Sequence, residues 1–148
     1  MLSRAQDIKV MIVEDDDPFR EHLAALIGGA KGFSCLGAHR TAEAALKYLP
    51  VEQPQVLLVD LQLPKASGME LIAEVAGRWP AVAPVVLTVS NDARKIFNAL
   101  EAGALGYLVK DHCSPARLLE AISEARDGGS PVSSQIARLM VKRFQEQG

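Results

Sequence analysis

Four short apolar runs each end on a polar group. Met11-Ile12-Val13 precedes Glu14 and Asp15, and Val56–Val59 precedes Asp60; Val85-Val86-Leu87 precedes Thr88, and Tyr107-Leu108-Val109 precedes Lys110. The runs are continuous and do not alternate with polar residues. That is the pattern of parallel strands covered on both faces by helices. Between them, apolar residues recur at helical spacing, as at Phe19, Leu23, Leu26 and Ile27. A chain of this kind folds as an α/β protein, and groups that follow its strands gather beyond one edge of one sheet.

The punctuation supports five strand–helix repeats. The first strand spans 9–13, and its helix is closed by Gly28-Gly29 and Gly32. A second strand covers 33–39. Thr41 caps a helix through Leu49 that Pro50 stops, and 55–59 is the third strand. Ser67 and Glu70 form a capping box opening a helix with Leu71, Ile72, Val75 and Trp79 inward. Strand 82–89 follows, then a helix over 92–102 ended by Gly103, then strand 106–109. Ser114-Pro115 starts a helix that runs to Asp127-Gly128-Gly129. The result is a doubly wound parallel sheet with helices on both faces.

Composition limits the rest. With 148 residues, 49% of them apolar, the chain is one domain with one core. A net charge of −2 with mixed signs argues against a basic face for nucleic acid. The stretch 2–10 lacks a continuous apolar run, and no segment is long enough to span a membrane, so a soluble cytoplasmic protein is expected. Cys35 and Cys113 fit no ligand pattern and read as reduced thiols.

Glu14, Asp15 and Asp60 together carry three negative charges that Lys110 offsets only once. A hard divalent cation, Mg²⁺ or Mn²⁺, offsets two more. Asp15 and Asp60 are assigned as direct ligands, Glu14 as a ligand through water, and the Gln62 backbone carbonyl as a further group. Phosphoryl transfer needs positioning and charge neutralisation of this sort. Asp60 is then the nucleophile, with Lys110 and Thr88 on the phosphoryl oxygens. Asp17-Pro18 reads as a helix cap followed by proline, and Asp16 as a solvated loop acid. His22 and His39 read as structural or exposed; His112 with Cys113 supplies too few ligands for a metal site.

At this point the chain resembles the receiver domain of two-component response regulators over 7–128, through VMIVEDDDPFR, VLLVDLQLPKASGMEL, VVLTVS and EAGALGYLVKD. The resemblance implies the flavodoxin-like strand order 2-1-3-4-5, which is the order the family is known for. It also implies a sensor histidine kinase as phosphoryl donor. On phosphorylation in such proteins the Thr88 hydroxyl shifts toward the phosphoryl group and Tyr107 turns inward behind it. That reshapes the face made by the fourth helix, fifth strand and fifth helix. Gln62 and Ser90 hold the positions that tune phosphoryl lifetime, and Val89 is bulkier than the small residue usual after the hydroxyl. Asp111 stands where many receivers have proline after a cis bond, and its isomer is open.

The ending GALGYLVKD with GGSPVSSQIARLMVKRF resembles the NarL/LuxR-type subgroup, in which a helix leads to a DNA-binding domain. Residues 129–148 form a linker or extra helix with an apolar stripe of Ile136, Leu139, Met140 and Phe144 beside Arg138, Lys142 and Arg143. The expected output is transcription through a DNA-binding domain outside this chain; a stand-alone receiver is the alternative, and a homodimer is possible on either reading. The chain is expected to be a phosphoacceptor and not a turnover enzyme. An aspartyl-phosphate hydrolase would need a second acid at Gln62. A flavin carrier would need a phosphate cradle where Glu14-Asp15-Asp16-Asp17 stands. A receiver that takes no phosphoryl group and works by contacts alone is the third rival, and Val89 is the residue that favours it.

Overall fold

The computed structural model describes residues 6–65 and 67–147; the first part of the stretch 2–10 lies outside them. Its elements are β1 (Ile8–Val13), α1 (Asp17–Gly29), β2 (Phe33–His39), α2 (Ala42–Glu52), β3 (Val56–Val59) and α3 (Gly68–Arg78). They continue with β4 (Ala83–Thr88), α4 (Ala93–Ala102), β5 (Gly106–Val109), a short 3₁₀ turn at Lys110–His112, α5 (Pro115–Arg126) and α6 (Ser134–Gln147). The five strands are parallel in the order β2-β1-β3-β4-β5. The doubly wound sheet and its flavodoxin-like order are both present.

The continuous apolar runs have a direct physical reason. Successive side chains point to opposite faces, and here both faces are dry. Met11, Val13, Leu57, Val59 and Val86 pack with Leu49 of α2, Leu71, Ile72 and Val75 of α3, and Ile96 of α4. Val10, Ile12, Val56, Leu58, Val85 and Leu87 pack on the other side with Leu23 and Ile27 of α1 and Leu118 and Ile122 of α5. No helix among the described residues is long and apolar enough to cross a membrane.

Local capping sets most helix starts. Thr41, Ser67, Asp92 and Ser114 each accept a hydrogen bond from a backbone N–H in the first turn, at 2.8–3.2 Å. Two expectations need correction. The residue that caps α1 is Asp16, not Asp17, and its side chain makes no capping bond. Asp17 is the first helical residue, and its carboxylate instead accepts from Arg20 and Arg40 at 2.7–2.8 Å. Those guanidiniums, Arg20 first, hold it below the usual carboxylate range. The second correction is that α2 does not stop at Pro50. The proline sits in the last turn, where it removes one N–H, and the helix ends only at Gln53 with φ 50°.

Both sheet edges are modified. The β1–β2 pairing slips between Val10 and Met11, and the β5 edge is covered by the chain's own return, where Val132 bridges Tyr107. No peptide bond among the described residues is cis, so Lys110–Asp111 is trans. Cys35 and Cys113 are free, half-buried thiols that burial pushes up in pKa.

Candidate functional site

Strand register brings the polar groups together. Val59 pairs with both Val13 and Val86, and Val86 pairs with Tyr107, so Glu14 and Asp60 leave the sheet side by side, with Thr88 one residue and Lys110 two residues farther along at the same edge. The Asp60 N–H donates to the Val13 carbonyl at 3.1 Å, and the Glu14 N–H donates to the His39 carbonyl at 2.9 Å. The crossover order therefore does what the sequence predicts. Two carboxylates, a hydroxyl and an ammonium share one edge.

Asp60 is only 6% exposed, so its charge must be paired and both its oxygens hydrogen-bonded. Its Oδ1 accepts from the Thr88 hydroxyl at 2.8 Å and from the Gln62 N–H at 3.1 Å. Its Oδ2 accepts from Lys110 Nζ at 2.9 Å. Lys110 Nζ also donates to Glu14 Oε1 at 2.6 Å, and Glu14 Oε2 accepts from the Asp16 N–H at 3.0 Å. Among the described residues, Glu14, Asp15 and Asp60 are the three ligating side chains that come within 4.8 Å of one another. His112 and Cys113 join no such group. Glu14 and Asp60 are buried while Asp15 faces solvent, which leaves the cluster an open side.

The electrostatics follow from burial and pairing. Burial pushes the Glu14 carboxyl above its ordinary range, against the Lys110 hydrogen bond, and the Asp60 charge adds to the rise. For Lys110, burial alone disfavours the charge, but the hydrogen bonds to Glu14 and Asp60 outweigh it and hold the ammonium above its ordinary value. An all-oxygen, net-negative cluster with an open side can hold a hard divalent cation.

Tyr107 is fully buried, and its hydroxyl donates to the Ser90 carbonyl at 2.8 Å. Burial pushes its pKa up to about 12. The Thr88 hydroxyl on Asp60 and the inward Tyr107 ring thus coexist in this structure. Gln62 is exposed, Val89 is 54% exposed at the strand end, and Ser90 is half-buried beside it. The structure brings Glu14, Asp15, Asp60, Thr88 and Lys110 together and places Gln62 on them through its backbone N–H.

Three features escape sequence reading. The Phe19 ring lies under Lys110 Nζ at 4.3 Å, where an ammonium is attracted to the ring face. Arg20 donates to the Glu14 carbonyl at 2.9 Å. Gly68 packs against the Asp60 backbone so closely that a Cβ there would collide with the Asp60 carbonyl oxygen. Each is a contact between residues distant in sequence or across a loop, with no local pattern to announce it.

Residues 10–123 match the model of the response regulator receiver domain. The chain belongs to the response regulator receiver family. This receiver is 30% identical over 141 residues to the response regulator GacA of Pseudomonas aeruginosa, covering 95% of this chain and 65% of that one. It is 27% identical over 137 residues to the transcriptional regulatory protein DegU of Brevibacillus brevis, covering 93% of this chain and 58% of that one. The chain thus spans about three fifths of the length of these curated relatives. A solved two-component response regulator of the LuxR family from Aurantimonas sp. superposes with a TM-score of 0.85 at 26% identity, covering 93% of this chain and 98% of that one. The NarL/LuxR-type resemblance holds, and phosphorylation-dependent signalling is the general role of such domains.

Proposed function

We propose that this receiver, spanning 7–128 with an appended segment 129–148, accepts a phosphoryl group on Asp60 from a sensor histidine kinase. The observation that carries the reading is the hold on both oxygens of the buried Asp60 carboxylate by Thr88, Lys110 and the Gln62 N–H. One Asp60 oxygen attacks phosphorus as the bond to the donor's leaving atom breaks, giving an acyl phosphate. Lys110 stays beside the new group as a point charge. Thr88, whose proton now goes to Asp60, donates instead to a phosphoryl oxygen. Asp15, Asp60 and the Gln62 backbone carbonyl, with Glu14 through water, would hold Mg²⁺ (or Mn²⁺), which when bound would supply charge neutralisation at the transferring group. Thr88 and Tyr107 act as the switch. The output is transcription, through a DNA-binding domain outside this chain, a reading supported by the name of DegU as a transcriptional regulatory protein.

The test is incubation with Mg²⁺ and acetyl phosphate, followed by intact mass measurement. Borohydride then reduces an acyl phosphate to the alcohol and marks the residue. A gain of one phosphoryl group mapping to Asp60 is expected. No gain removes the phosphoacceptor reading and leaves a contact-only receiver, and a mark elsewhere removes Asp60 as the acceptor.

Exposed Gln62 can orient water toward the acyl phosphate, and Val89 and Ser90 set access from the other side. Gln62→Met is therefore expected to lengthen the phospho-Asp60 lifetime severalfold. Decay of the phosphorylated mass with time measures it, and an unchanged or shorter lifetime sinks the idea.

A further inference from the structure

The C-terminal segment is tied to Tyr107, whose hydroxyl reaches the loop two residues past Thr88. After α5 the chain returns along β5, where the Pro131 carbonyl accepts from the Tyr107 N–H at 3.0 Å and Val132 bridges Tyr107. The Ser133 hydroxyl accepts from the Ile136 N–H at 3.2 Å at the start of α6. Ile136 is 3% exposed within the core cluster that holds Tyr107 and Ile96, with Val132 and Leu139 packed against that cluster. Farther along, the Arg143 guanidinium lies 4.8 Å over the Phe97 ring of α4. The segment is a docked strap over α4 and β5, not a free linker.

Tyr107 consequently has ties on two sides. Its hydroxyl reaches the Ser90 carbonyl, two residues past the Thr88 that holds Asp60. Its backbone N–H holds Pro131, and its ring is buried in the cluster that Ile136 completes.

We propose that docking of the 131–143 strap and the inward setting of Tyr107 stabilise each other, so that phosphorylation of Asp60 tightens α6 onto the receiver. This rests on the phosphoacceptor reading above. A phosphoryl group draws the Thr88 hydroxyl toward the site and with it the backbone to Ser90, whose carbonyl holds the ring inward. A ring that swings out loses that bond and disturbs the cluster to which the strap contributes. Two states linked in this way respond reciprocally: the factor by which phosphorylation strengthens docking equals the factor by which docking strengthens occupation of the Asp60 site.

The experiment uses the full chain with Mg²⁺, with and without beryllofluoride as phosphoryl mimic, its binding followed by fluorine NMR. Amide hydrogen exchange over 131–146 is expected to slow at least about fivefold when the mimic binds, the low end of typical coupling. Reciprocally, Ile136→Asp is expected to weaken mimic binding at least about fivefold. Arg143→Glu, at an exposed position, moves it the same way by a smaller factor and decides the matter alone should Ile136→Asp fail to fold. Unchanged or faster exchange with the mimic bound, or unchanged affinity in the folded variants, overturns the coupling and leaves the receiver reading standing. Absence of any mimic binding overturns both.

Discussion

Replacing Lys110 with alanine is expected to cost about 3–5 kcal/mol of stability in metal-free buffer, the range found when one partner of a buried ion pair is removed. Lys110 Nζ is bonded to Glu14 at 2.6 Å and to Asp60 at 2.9 Å, and both carboxylates are almost inaccessible to water. Without the ammonium they keep their neutral donors but face each other with no countercharge. For a chain of this size the loss corresponds to a fall of roughly 10–15 °C in Tm. The loss depends on pH in a definite sense. Burial raises the Glu14 carboxyl in the folded state, so the folded variant binds the proton more readily than the unfolded chain does. Its destabilisation is therefore largest above the raised pKa and shrinks as pH falls toward the ordinary glutamate value. Adding Mg²⁺ should recover part of the loss, because a cation that binds only the folded cluster stabilises it by mass action. Phosphoryl uptake from acetyl phosphate should drop at least about a hundredfold, as when one donor to a developing charge is removed. Thermal melts at two pH values, with and without Mg²⁺, measure the first effects and timed mass spectra the last. A variant as stable and as readily phosphorylated as the parent would show that Lys110 plays neither role.

The legible part of this site is the part carried by strand ends. Asp60, Thr88 and Lys110 each follow an apolar run, and any parallel sheet that buries both faces of those runs delivers the three groups to one edge. Chain order and register then fix their distances without further information. The sequence is silent where contacts depend on how a loop folds back. Asp17 looked like a cap because it precedes proline. The turn after β1 is instead set by the Asp16 N–H donating to Glu14, which moves the cap back one residue and frees Asp17 for Arg20 and Arg40. Pro50 looked like a stop because interior proline breaks a helix, but in a last turn it forfeits one hydrogen bond and α2 continues to Glu52. The stripe on α6 was visible as periodicity, yet only half of it is buried. Ile136 and Leu139 face the receiver, whereas Met140 is partly exposed and Phe144 is 79% exposed. Periodicity reports an apolar face, not which part of it finds a partner.

Gly68→Ala is the sharpest test of how the Asp60 carboxylate is positioned. In sequence Gly68 is merely the second residue of the Ser67 capping box. In the fold its N–H donates to the Leu61 carbonyl at 3.1 Å, and the start of α3 lies directly on the backbone that follows β3. An added Cβ would collide with the Asp60 carbonyl oxygen and lie 2.8 Å from the Leu61 Cα. Both obstacles are backbone, so no side chain can rotate away to make room. Either α3 withdraws or the segment at Asp60 and Leu61 moves. Overpacking of this sort costs about 1–3 kcal/mol and sometimes more. The functional effect should exceed that share of stability, because Asp60 Oδ1 depends on the Gln62 N–H and Thr88 hydroxyl at 3.1 and 2.8 Å. A displacement of about 1 Å at a reacting group lowers rate by roughly a hundredfold. The expected result is a folded but less stable receiver whose phosphoryl uptake falls by about that factor, while the Asp15 side of the cluster is untouched by the substitution. Chemical denaturation together with timed intact mass distinguishes the two effects. If uptake were preserved in a variant destabilised as expected, the strain would have been absorbed by α3, and the close approach of Gly68 would serve packing and not the placement of Asp60.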